Sequence, residues 1–232
     1  MRRNPDGKPY VIVVALTWNQ KQDTLHCLAS LQKMTYANFD LLLVDNGSVD
    51  GTATAVREQY PDVSVIENAE NLGFPGGFNV GLRYAISQEA DYIFMINNDT
   101  FVDPSLLDYL VQYANEPEIG MVSPKIYYAE KPNRIWSVGG IRHPLTYEMT
   151  AKGDNSEDLG QWDTVIDRDY LVGCALLMSR KMLEDVGLLD EGYFPIYYED
   201  MDLCLRVRQA GYRLLLVPQA QMWHKVSAAA GG

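Results

Sequence analysis

The stretch Tyr92-Ile93-Phe94-Met95-Ile96-Asn97-Asn98-Asp99 decides the fold, because it joins an apolar run directly to a polar end. Five apolar residues in succession are typical of a parallel strand that is buried on both faces. In open α/β sheets, ligands bind just beyond the carboxyl ends of such strands. Two amides and a carboxylate at that point suit a hard cation or a sugar phosphate. Asp99 is therefore the first candidate ligand-binding residue.

Strands and helices alternate through the first half of the chain. The predicted strands cover residues 10–16, 39–44, 63–67 and 92–96, and the predicted helices cover 22–32, 48–60, 76–88 and 104–115. This alternation predicts an α/β fold with a parallel sheet and right-handed crossovers.

The second half is less regular, and no linker separates it from the first. Strands are predicted at 121–127, 134–142 and 213–217, an apolar run at 170–178, and helices at 179–186 and 199–210, with Leu203, Leu205 and Val207 facing inward. The polar stretch 150–161 is predicted to be a mobile surface loop. We therefore expect one domain with a nucleotide-type first half and an elaborated second half.

Composition excludes several classes of partner. The formal net charge of −12 argues against nucleic-acid binding, which depends on basic residues. An acidic protein that binds a diphosphate needs a local cation, which a divalent metal would supply. No apolar stretch approaches the ~20 residues of a membrane-spanning helix, and residues 1–7 lack the apolar core of a secretion signal. The three cysteines are expected to be reduced, buried thiols in a cytosolic protein.

Short polar residues follow four of the predicted strands. They are Thr17-Trp18-Asn19, Asp45-Asn46-Gly47-Ser48, Asn68 to Asn71, and Asn97-Asn98-Asp99. Each group alone is common in turns and helix caps, and for Asp45 a turn role is about as good an interpretation as a functional one. Their recurrence at one sheet edge favours a ligand site.

The segment from Asn71 to Gly81 is rich in glycine and opens a helix. Glycines let a backbone approach a ligand closely, and a helix N-terminus presents free N–H groups to an anion. The segment matches neither the Walker motif nor Gly-x-Gly-x-x-Gly. The alternative is that the glycines serve helix packing, since Gly77 and Gly81 share one face.

Two further groups carry candidate chemistry. Glu199-Asp200-Met201-Asp202 begins the last predicted helix, where acidic residues also complement the helix dipole. The aromatic residues 194–198 before it can raise the pKa of a carboxylate toward base chemistry, so one carboxylate could act as a base while another caps the helix. His224 lies beyond the last predicted strand, where a packing role is commoner than metal ligation.

The motifs described above and the Trp223-His224 pair occur along the chain in the same order as in family 2 glycosyltransferases, which they resemble. They are most similar to the bacterial rhamnosyltransferase-like branch of that family. The resemblance covers the chain from about Tyr10 onward. It implies the GT-A fold, an α/β fold with a mainly parallel central sheet flanked by helices and a small additional antiparallel sheet in the second half. It also implies a single catalytic domain over 1–232, with a nucleotide-binding half at about 8–100, an acceptor and catalytic half at about 101–226, and a truncated C-terminus.

The resemblance also implies roles for individual residues. Asp99, the last position of an Asp-x-Asp-type motif, and His224 would bind Mg²⁺ or Mn²⁺. Asp200 would be the general base, with Glu199 as the alternative. Thr17 and Asp45 would line the nucleoside pocket, and the other predicted substrate-binding residues are Asn19, Asn46, Asn71, Gly73, Gly76, Gly77, Asn79, Asn97 and Asn98. Asn97 stands at the first position of the metal motif, so one anionic group is missing and the metal requirement stays open.

The implied function is inverting transfer of a sugar, with rhamnose as the analogy, in bacterial cell-envelope polysaccharide biosynthesis. The donor would be a dTDP-, UDP- or GDP-sugar, and the acceptor a glycan or lipid-linked saccharide. The protein would be cytoplasmic, with peripheral association at the inner face of the membrane. One alternative is a nucleotide-sugar binding domain with weakened or lost catalysis. Another is a sugar-nucleotidyltransferase, although Trp18-Asn19-Gln20-Lys21 is a poor substitute for a basic glycine-rich loop.

Overall fold

The computed structural model describes residues 7–146 and 148–226, and its centre is a ten-stranded mixed sheet. The first half supplies β1 (Val11–Thr17), β2 (Phe39–Asp45), β3 (Ser64–Glu67) and β4 (Tyr92–Asn97). In this half β1 pairs in parallel with β2 and β4, and β2 pairs in parallel with β3. The parallel sheet predicted from the alternating pattern is confirmed.

The second half extends the same sheet with strands of both directions. It supplies β5 (Thr100–Val102), β6 (Ile119–Tyr128), β7 (Lys131–Ser137), β8 (Gly140–Arg142), β9 (Met149–Ala151), β10 (Ile166–Arg168), β11 (Ala175–Ser179) and β12 (Arg213–His224). The sheet order is β10-β12-β6-β11-β4-β1-β2-β3, with β5 on β12 and β7 on β6. β11 runs antiparallel to both of its neighbours. β8 and β9 form the small separate antiparallel sheet.

Helices cover both faces of the sheet. They are α1 (Lys21–Leu31), α2 (Thr52–Gln59), α3 (Gly73–Ser87), α4 (Leu106–Ala114), α5 (Arg180–Val186), α6 (Glu199–Gln209) and a 3-10 turn at Glu191–Tyr193. Strand β1 is buried throughout because alternate residues enter different cores: Val13 joins the core under α1 and α4, whereas Val14 joins the core under α3 and α6. None of the helices within residues 7–146 and 148–226 is long and apolar enough to cross a membrane.

Several predicted boundaries were wrong for local reasons. Helix α3 begins at Gly73 rather than residue 76, since Pro75 is tolerated in a first helical turn. Helix α4 begins at Leu106, because the carboxylate of Asp103 accepts hydrogen bonds from the backbone and hydroxyl of Ser105 and makes a turn before the helix. Only the last part of the apolar run 170–178 forms a strand, and the final strand continues to His224.

Two predictions about side chains also need correction. Leu203 and Val207 are buried, but Leu205 is 40% exposed, because a position two residues along a helix turns to a different face. The polar stretch 150–161 makes specific contacts instead of only facing solvent: Asp158 accepts hydrogen bonds from the buried Lys125 Nζ at 2.8 Å and from the Tyr127 hydroxyl at 2.6 Å. The three cysteines are buried and unpaired, as predicted.

Candidate active site

The carboxyl ends of three parallel strands place predicted site residues side by side. In the register of the sheet, Thr17 lies opposite Asp45, and Leu16 lies opposite Asn97. Thr17 and Asp45 are both buried. The structure therefore brings these strand ends to one edge, as the recurrence of polar residues predicted.

The loops after β1 and β2 are bonded to each other. The Ser48 backbone N–H donates to Asp45 Oδ1 at 2.8 Å, while the Asn19 backbone N–H donates to Ser48 Oγ at 2.7 Å. In a third hydrogen bond in these loops, Asn19 Oδ1 accepts from the Val49 backbone N–H at 2.9 Å. The Asp45 carboxylate therefore has a turn role, because it fixes the loop that forms one wall of this edge, and its role in ligand binding stays a prediction.

Asn46 organises the loop that leads into α3. Its Nδ2 donates to Asn71 Oδ1 at 2.8 Å and to the Gly73 carbonyl at 3.0 Å. Its Oδ1 accepts from the Leu72 backbone N–H at 3.1 Å and from Asn68 Nδ2 at 3.0 Å. Both ends of this buried amide are thus used to hold the loop in shape.

The glycines of this segment allow close packing of α3. A Cβ on Gly77 would lie 2.6 Å from Leu16 Cδ1, and one on Gly81 would lie 2.3 Å from Val14 Cγ1. Gly76 is similarly close to Leu72, with 2.9 Å between the added Cβ and the leucine Cβ. These distances support the packing interpretation, in which the absence of side chains lets the helix lie directly on the ends of the sheet.

Asn79 and Asn98, like Asn46 and Asn71, use their side-chain amides for hydrogen bonds within the fold. Asn79 Nδ2 donates to the Leu189 carbonyl at 2.8 Å, and Asn79 Oδ1 accepts from the Leu189 backbone N–H at 3.1 Å. Asn98 Nδ2 lies 3.2 Å from Thr17 Oγ1 and 3.1 Å from Thr24 Oγ1. A donor that contacts the Asn79 amide or the Asn98 amide nitrogen would compete with these hydrogen bonds.

Asp99 and His224 are brought together from distant parts of the chain. His224 Nε2 lies 3.0 Å from Asp99 Oδ1, and both side chains are buried. The pairing of β12 with β5 creates this contact by placing His224 opposite Thr100. The Lys225 backbone N–H then donates to the Asp99 carbonyl at 2.9 Å, so the two segments are joined on both sides of the pair.

The side chains of this pair and the amide of Asn97 at the end of β4 are donor types that a divalent cation binds. Within the described ranges, Asn97 Oδ1 and His224 Nδ1 are buried without a hydrogen-bond partner. A carboxylate, an imidazole and an amide oxygen are donors that Mg²⁺ or Mn²⁺ accepts. The described residues contain no cluster of three or more His, Cys, Asp or Glu side chains suited to a metal.

The acidic pair at the start of α6 combines two different environments. Asp200 Oδ2 accepts hydrogen bonds from the Tyr170 hydroxyl at 2.8 Å and the Gly173 backbone N–H at 2.9 Å. Glu199 is only 3% exposed, and no partner among the described residues reaches its Oε2. Burial raises the pKa of Glu199 to about 7, and the neighbouring charge of Asp200 adds to the effect. Asp200 is thus held by two donors from distant segments, while the pKa of Glu199 is raised even though backbone hydrogen bonds from Glu199 and Tyr197 act to lower it.

Sequence reasoning missed Tyr170 and Gly173, which hold Asp200. Both lie about 30 residues before Asp200 in the apolar run, and nothing in that run marks them as partners of a carboxylate. It also missed the ion pair between Lys225 Nζ and Asp23, which ties the segment after His224 to α1. Such contacts depend on tertiary placement and leave no local pattern.

Comparison with known proteins agrees with this architecture. Residues 12–187 match the model of the family described as Glycosyl transferase family 2. The chain belongs to glycosyl transferase family 2. This assignment confirms the family that the motifs resemble, and with it the glycosyltransferase class.

Three relatives illustrate the family context. The chain is 29% identical to N-acetylglucosaminyl-diphospho-decaprenol L-rhamnosyltransferase of Mycobacterium tuberculosis, over 94% of this chain and 77% of that protein. It is 26% identical to an uncharacterized protein of Sinorhizobium fredii, over 97% of this chain and 25% of that protein. It is also 26% identical to the O-antigen biosynthesis protein RfbC of Myxococcus xanthus, over 96% of this chain but 18% of that protein.

Solved structures establish the GT-A fold. A mannosyltransferase from Pyrobaculum calidifontis, in complex with GDP-Man and Mn²⁺, superposes with a TM-score of 0.70 at 19% identity, over 96% of this chain and 58% of that one. GalNAc-T7 with UDP, GalNAc and Mn²⁺ gives a TM-score of 0.75 at 14% identity, over 94% of this chain and 44% of that one. At these identities the likeness concerns the fold alone.

Proposed function

We propose that this chain is an inverting, metal-dependent glycosyltransferase domain that moves a sugar from a nucleotide-diphospho-sugar to an acceptor hydroxyl. The observation that carries the proposal is the buried Asp99–His224 pair at the carboxyl end of β4, with an Oδ1–Nε2 distance of 3.0 Å. A pair of this kind next to a parallel-sheet edge suits a metal-bound diphosphate. Rhamnose is the favoured sugar, because a relative that is 29% identical over 77% of its length is named as a rhamnosyltransferase.

The donor would bind mainly to the half at about 8–100. Thr17 and Asp45, buried at the ends of neighbouring strands, would line the nucleoside pocket. Asp99 and His224 would hold Mg²⁺ or Mn²⁺, and Asn97 Oδ1 is placed at the same strand end. A bound divalent cation would offset the negative charge that develops on the leaving nucleoside diphosphate.

The transfer would be a single displacement that begins with the acceptor hydroxyl. Its oxygen forms a bond to the anomeric carbon, its proton passes to a carboxylate, and the bond from that carbon to the diphosphate oxygen breaks on the opposite face. Asp200 is the proposed base, since the Tyr170 hydroxyl and the Gly173 N–H hold its Oδ2 in a fixed position. Glu199 is the alternative base, because its pKa of about 7 suits proton transfer near neutral pH.

The acceptor would bind to the half at about 101–226. The mycobacterial relative's name specifies a diphospho-decaprenol acceptor. By extension, we propose a lipid-linked saccharide as the acceptor and action at the cytoplasmic face of the membrane. The nucleotidyltransferase alternative loses support, because Lys21 after β1 is engaged: its Nζ donates to the Asp50 carbonyl at 2.9 Å.

Donor turnover tests the proposal directly. The chain is incubated with dTDP-rhamnose, UDP-sugars and GDP-mannose, with octyl N-acetylglucosaminide as acceptor, in Mn²⁺, Mg²⁺ or EDTA. We expect turnover with metal, loss of turnover in EDTA, and an inverted anomeric centre in the product by NMR. Asp200→Asn should lower kcat by about 10²–10⁴-fold, whereas the exposed Asp62→Asn should not change it.

The outcomes separate the candidate functions. Retention of anomeric configuration would contradict the displacement mechanism, and full activity of Asp200→Asn with loss in Glu199→Gln would transfer the base role to Glu199. Donor binding without turnover under every condition would instead support a binding domain that has lost catalysis, the alternative favoured by Asn97 at the first position of the metal motif.

A further inference from the structure

An exposed aromatic segment, residues 194–198, leads directly into the acidic pair. The side chains of Phe194, Tyr197 and Tyr198 are exposed by 63%, 56% and 65% respectively. Contiguous exposed apolar surface is uncommon in globular proteins and marks interaction sites. The proposed chemistry gives no role to these three rings.

The backbone holds this segment in a defined shape. The Phe74 N–H donates to the Pro195 carbonyl at 2.7 Å, and a Cβ on Gly73 would lie 2.7 Å from Phe194 Cδ2. Tyr197 and Tyr198 have φ angles of 90° and 73°, a left-handed conformation that non-glycine residues adopt only where the surroundings impose it. The exposed rings are therefore presented by a constrained segment, consistent with a preorganised surface.

A second observation points to a ligand at the same place. Glu199 follows Tyr198 directly, and its Oε2 is buried with no hydrogen-bond partner among residues 7–146 and 148–226. A buried acceptor atom without a donor is unfavourable unless a ligand or water supplies one. A hydroxyl-bearing ligand bound over the tyrosines would supply such a donor.

We propose that Tyr197 and Tyr198 form the acceptor subsite and stack against a sugar ring of a saccharide acceptor, with a non-reacting hydroxyl of the acceptor directed toward Glu199 and the attacking hydroxyl toward Asp200. This inference rests on the proposed function, which does not say which residues contact the acceptor, and it names those residues. The segment contacts the glycine loop through Phe194 and precedes the acidic pair, so it flanks the space between donor and base. In a displacement reaction, that space belongs to the acceptor.

The local charge argues for a saccharide over a membrane surface. Glu191 and Asp202 are paired with Arg83 and Arg206, which leaves Glu199 and Asp200 as the acidic groups next to the rings that disfavour anionic lipid headgroups. Tyrosine joins an apolar ring to a polar hydroxyl, a combination that matches a sugar better than an acyl chain. The proposed nucleoside pocket lies elsewhere, at the ends of β1 and β2.

Steady-state kinetics on the full chain tests the subsite, with octyl N-acetylglucosaminide as the acceptor probe. Tyr197→Ala and Tyr198→Ala should each raise the KM for acceptor by about fivefold or more relative to the KM for donor. Tyr197→Phe and Tyr198→Phe keep the aromatic ring, so their ratio of acceptor KM to donor KM should stay within about twofold of the wild-type ratio. Tyr109→Ala, at a 37% exposed tyrosine on α4, is the control and should change neither constant. Unchanged acceptor KM in both alanine variants would overturn the inference.

Direct binding separates this inference from the proposed function. Ring-labelled tyrosine spectra, assigned through the two phenylalanine variants, are titrated with methyl N-acetylglucosaminide, with dTDP and with phosphatidylglycerol vesicles. Shifts of Tyr197 and Tyr198 with the glycoside support the subsite even if the wild type consumes no donor, an outcome that contradicts only the proposed function. Shifts with vesicles or dTDP alone, or with no probe, contradict the saccharide subsite.

Discussion

Replacing Glu199 with glutamine should change the pH dependence of stability. The pKa of Glu199 is raised to about 7 from an ordinary 4.5, first by burial and then by the charge of Asp200. A raised pKa means that the folded state binds the proton more tightly than the unfolded chain does. Below about pH 4.5 the side chain is protonated in both states and does not lower the free energy of unfolding. As the pH rises from 4.5 toward 7, ionisation of Glu199 in the unfolded chain lowers that free energy progressively.

The size of the effect follows from that pKa difference. At 1.36 kcal/mol per unit, ionised Glu199 lowers the free energy of unfolding by about 3 kcal/mol above pH 7, relative to its protonated form. Glu199→Gln keeps a neutral group of similar shape and removes this dependence. In a chain of this size, about 3 kcal/mol corresponds to a Tm difference of roughly 6–12 °C.

Thermal unfolding from pH 5 to pH 8.5 measures this effect. We expect the Tm of Glu199→Gln to match the wild type near pH 5 and to exceed it increasingly up to about pH 8. Glu58→Gln, at an exposed position of α2, is the control and should show no such divergence. A Tm difference between wild type and Glu199→Gln that stays constant with pH would refute the argument that Glu199 titrates near 7 in the folded protein.

Three further predictions concern the metal site, the helix packing and the buried cation. Asn97→Asp adds an anionic group at the strand end that leads to the proposed metal pair, so the Mn²⁺ concentration for half-maximal activity should fall by about tenfold, measured from initial rates; an unchanged or higher value would exclude Asn97 from the metal environment. Gly81→Ala places a methyl group 2.3 Å from Val14 Cγ1 and should cost about 1–3 kcal/mol in urea unfolding, whereas no loss would mean that α3 can shift. Lys125→Met leaves Asp158 without its buried cation and should cost about 3 kcal/mol in the same assay; equal stability would show that the ion pair is replaceable.

The elements that could be predicted from sequence are those with a long, repeated signal. The apolar run 92–96 correctly identified β4, and the strand–helix alternation correctly gave the parallel half of the sheet. Strands β5, β9 and β10 have three residues each, too few to show a period. They form because neighbouring strands offer partners, which is information held in the tertiary structure.

For the site residues, the sequence predicted positions along the sheet edge but not the directions of the side chains. Residue type and position at strand ends were enough to bring Thr17, Asp45 and Asn97 to one edge. The directions of the side chains were not available, so nothing in the sequence distinguished Asn79 and Asn98, whose amides bond within the fold, from residues that face a ligand. The support that Tyr170 gives to Asp200 also depends on the packing of distant segments.

The length of β12 has a practical consequence for designing shorter or fused versions of this domain. The strand pairs with β10 near its start, with β6 along most of its length and with β5 at its end, where it delivers His224 beside Asp99. Removing it would take one partner strand away from each of β5, β6 and β10 and delete one member of the proposed metal pair in the same step. Fusion boundaries should therefore fall after Lys225, whose backbone N–H bonds to the Asp99 carbonyl, so that the strand pairing and the proposed metal pair both stay intact.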